Sequence, residues 1–280
     1  MSQQLPHNDL PSYLCKAPPP PPLISNFNMG LLPSIPLPIG QKTCLSNSSS
    51  KDNIPYLTKK DLYNIMYDDL SRKCDILNVV CTKSKLWMQP VYPHLQDGPT
   101  CGLAIICMWA DSFMEHTLTL ENLLKISQAN YFTKQGEMFS VANMKALCEQ
   151  VMGSDHVQIQ HGTQGLKVDK SFIIDEIKTG AIVFVPYDSD HNHDPCLKKG
   201  LKAHWALIFG LLEDDNGEVY LLARQGKSNH IGIWKYSDLS ASNANLKQID
   251  PKRCDHDYTI PNGGIEEGLC NQYLILKQVK

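Results

Sequence analysis

Leu95-Gln96-Asp97-Gly98-Pro99-Thr100-Cys101-Gly102-Leu103-Ala104 joins a sharp Gly98-Pro99 turn to a run rich in apolar residues. The run predicts a helix from Cys101 to about His116, with Ala104, Ile105, Met108 and Ala110 in its body. A thiol delivered to a helix start meets unpaired backbone N–H groups and the positive end of the helix field, and both favour thiolate over thiol. Gly102 gives a substrate chain room to approach beside the sulfur. Gln96, upstream, is placed to turn its amide N–H toward the same point, making with the Cys101 backbone N–H a two-donor oxyanion hole. The alternative is an inert buried cysteine, for which such a turn has no purpose.

A thiolate nucleophile needs a group to manage protons. His204 begins the apolar run His204-Trp205-Ala206-Leu207-Ile208-Phe209-Gly210, which predicts a strand with an imidazole at its open end. The separation from Cys101 suits a helix in one half of a domain facing a strand in the other. His204 is thus the expected base and acid, and Trp205 shields the pair or lines the pocket; an ordinary strand-end histidine is the alternative. A third member would accept a hydrogen bond from the imidazole and fix its tautomer. Its expected place is Leu222-Ala223-Arg224-Gln225-Gly226-Lys227-Ser228, where Gln225 leads, with Asn229 and Asp188 as weaker candidates. Arg224 and Lys227 are expected at the rim.

Farther out, the periodicity divides the chain. Thr58 caps a helix from Lys59 to Leu70, and further helices are predicted from Thr119 to Ile126, Ser140 to Val151 and Lys170 to Lys178, the last ended by Gly180. Trp87 to Leu95 reads as loop. Strands follow at Ala181–Tyr187, His204–Leu212, Glu218–Ala223, Ile231–Tyr236 and Tyr273–Val279, with Asp214-Asp215-Asn216-Gly217 as a hairpin turn. Helices first and strands later predict an α+β domain over 51–280, with the helices on one side of a mainly antiparallel sheet.

Residues 1–50 differ. They carry Pro18 to Pro22 as an unbroken tract but only Asp9, Lys16 and Lys42 as charges. That composition predicts a disordered proline-rich tail, either a spacer or a preformed polyproline II ligand for an aromatic-lined groove. With 26 Lys plus Arg against 29 Asp plus Glu, the net charge is −3, which gives no footing for a nucleic-acid binder. The longest apolar runs, Leu103–Ala110 and Trp205–Leu212, are far short of the roughly 20 residues that span a bilayer. No basic cluster precedes an apolar core at the N-terminus, and ten cysteines in 280 residues are too sparse for a disulfide framework, so a reduced cytoplasmic setting is expected. Asp190-His191-Asn192-His193-Asp194-Pro195-Cys196 fits no standard zinc spacing and reads as a polar loop on the rim of the cleft. No cofactor is expected. Gln225-Gly226-Lys227-Ser228 lacks the rest of a phosphate loop, and no Gly-x-Ser-x-Gly elbow is present.

Taken together, Gln96-Asp97-Gly98-Pro99-Thr100-Cys101-Gly102-Leu103, His204-Trp205, Leu222 to Ser228, the five-proline tract, and Gly263-Gly264-Ile265 before Gly268-Leu269-Cys270 resemble the actin maturation protease family. The resemblance implies a papain-like cysteine peptidase fold and an aminopeptidase that removes the N-acetylated first residue, acetyl-Met or acetyl-Cys, from immature actin. It also implies that the proline-rich tail binds profilin. It puts the nucleophile at Cys101, the general base at His204 and the oxyanion donor at Gln96. The chain departs from ordinary papain-like enzymes in lacking Cys-Gly-x-Cys-Trp around Cys101 and in carrying Gln225 where Asn or Asp is usual. Two other readings stand beside it: a peptidase with another protein substrate, such as ubiquitin conjugates, and a non-catalytic scaffold that binds through its tail.

Overall fold

The computed structural model describes residues 58–77, 84–251 and 257–279. The expected proline-rich tail and the boundary with the following domain lie outside these residues. Helix α1 (Lys59–Leu77) starts with a reciprocal cap: the Thr58 hydroxyl accepts from the Asp61 N–H at 3.2 Å, and the Asp61 carboxylate accepts from the Thr58 N–H at 3.1 Å. Leu62, Met66, Leu70 and Cys74 recur every fourth residue and form its buried face. Helices α2 (Cys101–Phe113), α3 (Leu120–Ala129), α4 (Val141–Met152) and α5 (Lys170–Lys178) lie where the periodicity predicts them. Thr119 and Ser140 cap α3 and α4 through their hydroxyls.

The strands are β1 (Lys85–Met88), β2 (Val157–Gly162), β3 (Ile182–Asp188), β4 (Ala203–Glu213), β5 (Val219–Arg224), β6 (Gly232–Lys235) and β7 (Tyr273–Gln278). They form one sheet in the order β2-β7-β3-β4-β5-β6, and β1 pairs with the second half of β4. Every pairing is antiparallel. Two short helices, α6 (Tyr236–Asn243) and α7 (Gly264–Leu269), complete the domain.

The α+β class holds, with one correction. The helices do not all pack on one side of the sheet. Phe184, Leu207, Leu222, Leu274 and Leu276 face the larger core with α2, α4 and α7, whereas Val183, Val185, Ala206, Ile208 and Ala223 face a second core closed by Ile173 and Ile177 of α5 and Tyr236 and Leu239 of α6. The reason is written in β3, buried at all seven positions: a strand without a polar face needs cover on both sides. Strands β1 and β2 and helices α6 and α7 were not among the expected elements. β1 is four residues long and closely followed by Pro90, so it has too little pattern to stand out from a loop. β2 does alternate, Val157-Gln158-Ile159-Gln160, as befits a strand at the sheet edge.

Helix α2 is the centre of the larger core. Cys101 to Ala110 are all buried, and a helix apolar on every side must be enclosed by other elements. Each large side chain so enclosed is worth about 1.5–3 kcal/mol relative to exposure. That burial fixes the helix start, and with it the cysteine, against the open end of β4.

Candidate active site

Cys101 is the first residue of α2, and its N-cap residue does not cap. The Thr100 hydroxyl donates instead to the Asp97 carbonyl at 2.6 Å, closing the turn in which Gly98 adopts a left-handed φ of 62°. The first N–H groups of the helix therefore have no side-chain cap. The backbone N–H groups of Trp205 and Gly102 act on the Cys101 sulfur in the direction that favours thiolate. Trp205 is the residue that follows His204, so the sulfur lies close to the strand that bears the histidine. The β4–β5 ladder ends at Leu207 opposite Arg224, so among the described residues it does not extend to Trp205. Burial pushes the thiol pKa up; the nearby backbone N–H groups and the Lys227 charge oppose it without prevailing. The helix start alone therefore does not favour thiolate here, because enclosure outweighs it. Gly102 serves packing more than substrate access, since a Cβ there would stand 2.8 Å from the Met144 methyl and 3.0 Å from Met138.

Cys101 and His204 line one cleft of about 420 Å³, together with Gln96, Pro99, Met138, Phe139, His193 and Lys227 among others. His204 pairs across the sheet with Tyr187, whose ring meets the imidazole edge-on at 5.7 Å, and the His193 ring lies 5.3 Å away at 33°. Trp205 lines the cleft as expected. It is 2% exposed, and its indole N–H donates to the Met138 carbonyl at 2.8 Å, pinning the loop that forms the opposite wall. Glu137, on the same loop, accepts from the N–H groups of Lys134, Gln135 and Thr259, so its carboxylate is engaged in holding backbone.

Gln96 sits at the rim of the cleft. Its amide nitrogen donates one proton to the Gly98 carbonyl at 2.7 Å, and its backbone N–H donates to the Gly226 carbonyl at 2.8 Å. Gly226 has to be small, because a Cβ would stand 2.9 Å from the Gln96 side chain. The turn after β5 thus buttresses Gln96. Gln225 is buried; its carboxamide oxygen accepts from the Lys227 N–H at 2.8 Å, and it lines a neighbouring depression with Ser228, His230 and Trp234 rather than the cleft itself. Asp188 is fully buried and holds the Lys198 N–H and the Asn245 amide. The Asn229 carbonyl accepts from Arg224.

Arg224 does not reach the rim. It is 2% exposed beside Phe209, and burial lowers its pKa to about 10. Lys227 and Lys202 are the cations that do line the cleft. His193 lines the cleft, in keeping with the expected place of 190–196 on its rim, whereas Met138 and Phe139 were not foreseen as cleft residues. Nothing local marks those two.

Similarity to known proteins follows the same residues. The family profile described as "Actin maturation protease-like, C-terminal domain" matches residues 91–212, which include both Cys101 and His204. The actin maturation protease of Xenopus tropicalis is 34% identical over 69% of this chain and 73% of its own length, and that of Danio rerio is 34% identical over 65% and 71%. The Drosophila melanogaster protein is 39% identical over 61% of this chain and 62% of its own. No helix among the described residues is long and apolar enough to cross a membrane. Identity at this level over most of a relative's length, with the cysteine and histidine brought into one cleft inside the matched segment, means that the chain belongs to the actin maturation protease family.

Proposed function

We propose that the chain is a cysteine aminopeptidase that removes the N-acetylated first residue, acetyl-Met or acetyl-Cys, from immature actin. The observation that carries the reading is the one cleft that Cys101, at the start of α2, and His204, on β4, line together. Cys101 transfers its proton to His204, and the thiolate attacks the carbonyl carbon of the blocked residue. The second N–H of the Gln96 amide and the Cys101 N–H receive the oxyanion. As the C–N bond breaks, His204 returns the proton to the departing amine and a thioester remains. Water, deprotonated by His204, then hydrolyses the thioester and frees the acetyl-amino acid and the thiol.

Gln225 serves as a positioning residue. It follows the last residue of β5, and its bond to the Lys227 N–H shapes the turn that supports Gln96. A blocked terminus suits the cleft, because among the described residues the carboxylate that lines it, Glu137, is already engaged by three backbone N–H groups. Lys202 and Lys227 offer positive charge to actin's acidic N-terminal segment. The chain works in the cytoplasm, and its proline-rich segment, 1–50, binds profilin and so brings profilin-bound actin to the cleft.

Incubation with acetylated actin N-terminal peptides and a panel of ubiquitin conjugates, read by mass spectrometry, tests the reading. The expected result is release of the acetyl-amino acid by the native protein and none by Cys101→Ser. Cleavage of the conjugates alone, or undiminished release by Cys101→Ser, would refute it.

A further inference from the structure

The loop between β3 and β4 carries a histidine to which the mechanism above gives no task. His193 lines the cleft, and its ring lies 5.3 Å from that of His204 at 33°. Its placement is held from three sides. The buried Tyr187 hydroxyl donates to the His193 carbonyl at 2.7 Å, while the Tyr187 ring flanks His204 at 5.7 Å, so one side chain positions both histidines. Asp190 accepts from the N–H groups of Asn192 and Asp194 at 2.7 and 3.0 Å, and the Asp194 carboxylate accepts from the Trp234 indole at 2.8 Å. The His193 backbone has φ 65°, a left-handed conformation uncommon for a residue with a Cβ and often retained at functional sites. Its Nδ1 is buried and makes no hydrogen bond among the described residues, so the ring is held here by packing and not by its nitrogen.

We propose that His193 is a positioning residue that acts through His204: its ring, like that of Tyr187, packs beside the imidazole, holds it in the orientation that reaches Cys101, and keeps water from it. The inference rests on the assignment of Cys101 and His204 made above. Charge around His193 fits a neutral ring. Burial lowers its pKa, and Lys227 and Lys202 add to the effect, while Asp190 and Asp194 of its own loop pull the other way; His204 and Tyr187 are the titratable groups packed against it from the strands, and Cys101 and Glu137 share its cleft. A neutral ring flanks the imidazolium formed in each turnover without repelling it.

Two substitutions separate the ring from its nitrogen. His193→Asn suits the left-handed backbone but removes the ring, and His193→Phe keeps a ring without a nitrogen. The expected result for His193→Asn is a kcat lower by about tenfold or more with KM within about twofold, and a Cys101 alkylation-against-pH curve displaced from the native one. His193→Phe should restore both toward native. Thermal melts establish that each variant is folded. A native kcat in His193→Asn, a loss confined to KM, or equal loss of kcat in both folded variants would overturn the proposal. Cys101→Ser, run in parallel, isolates the assumption beneath it: activity surviving that change sinks the active-site assignment, whereas an inactive Cys101→Ser beside a fully active His193→Asn sinks the role of His193 alone.

Discussion

At Cys101, two tendencies written into adjacent residues oppose each other. The turn through Gly98 and the diverted Thr100 hydroxyl open the helix start, but the apolar body of α2 draws the sulfur out of water, and burial raises the thiol pKa. The positive charge of Lys227 favours the thiolate across the cleft. Lys227→Ala should therefore slow alkylation of Cys101 at neutral pH by about two- to threefold and move its pH transition upward. An unchanged iodoacetamide rate profile would show that the lysine does not reach the sulfur electrostatically. Cys101 and His204 were legible because each carries its own local signal, a turn before a helix and an imidazole before an apolar strand. Arg224 misled because a charged residue near a strand end was read as exposed, whereas its guanidinium is buried under Phe209 and held by the Asn229 carbonyl.

Among the elements, β4 does most to bring the site together. Its first half pairs with β3 and its second half with β1, and a register shift between Ile208 and Gly210 exchanges the two faces, so that Phe209 and Leu212 both reach the larger core while Ile208 and Leu211 reach the other. Gly210 makes the change of partner possible. A Cβ there would stand 2.3 Å from the Trp87 carbonyl oxygen and 2.8 Å from the Met88 Cα, backbone atoms that cannot yield without moving β1. Gly210→Ala should lower stability by about 1–3 kcal/mol, read as an earlier urea midpoint. A midpoint equal to native would mean that β1 is not held as described. The strand pattern foretold β4 itself but not β1, because a four-residue strand acquires its identity from the partner it meets rather than from its own alternation.

Across the whole molecule, the buried ionisable groups set the alkaline limit of stability. Burial raises the pKa of Cys107 from 9.0 to about 12 and moves those of Cys148, Tyr236 and Tyr273 upward as well. Each keeps its proton longer in the folded chain than in the unfolded one. Their contribution is thus complete below the unfolded values and is lost as pH rises through the folded ones. For Cys107 that window runs from 9.0 to about 12. Denaturation between these limits should show stability falling by up to about 1.4 kcal/mol per pH unit for each such group, with a shallower slope in Cys107→Ala. A slope untouched by that substitution would contradict the assignment of Cys107. By itself the chain determined its five longer helices, most of its strands, and the places of Cys101 and His204 near the starts of a helix and a strand, because periodicity, caps and turns act over a few residues. Only the tertiary structure decided that the sheet is covered on both faces, that Arg224 is buried and that His193 stands beside His204, since burial and contact between distant segments are settled by which surfaces meet.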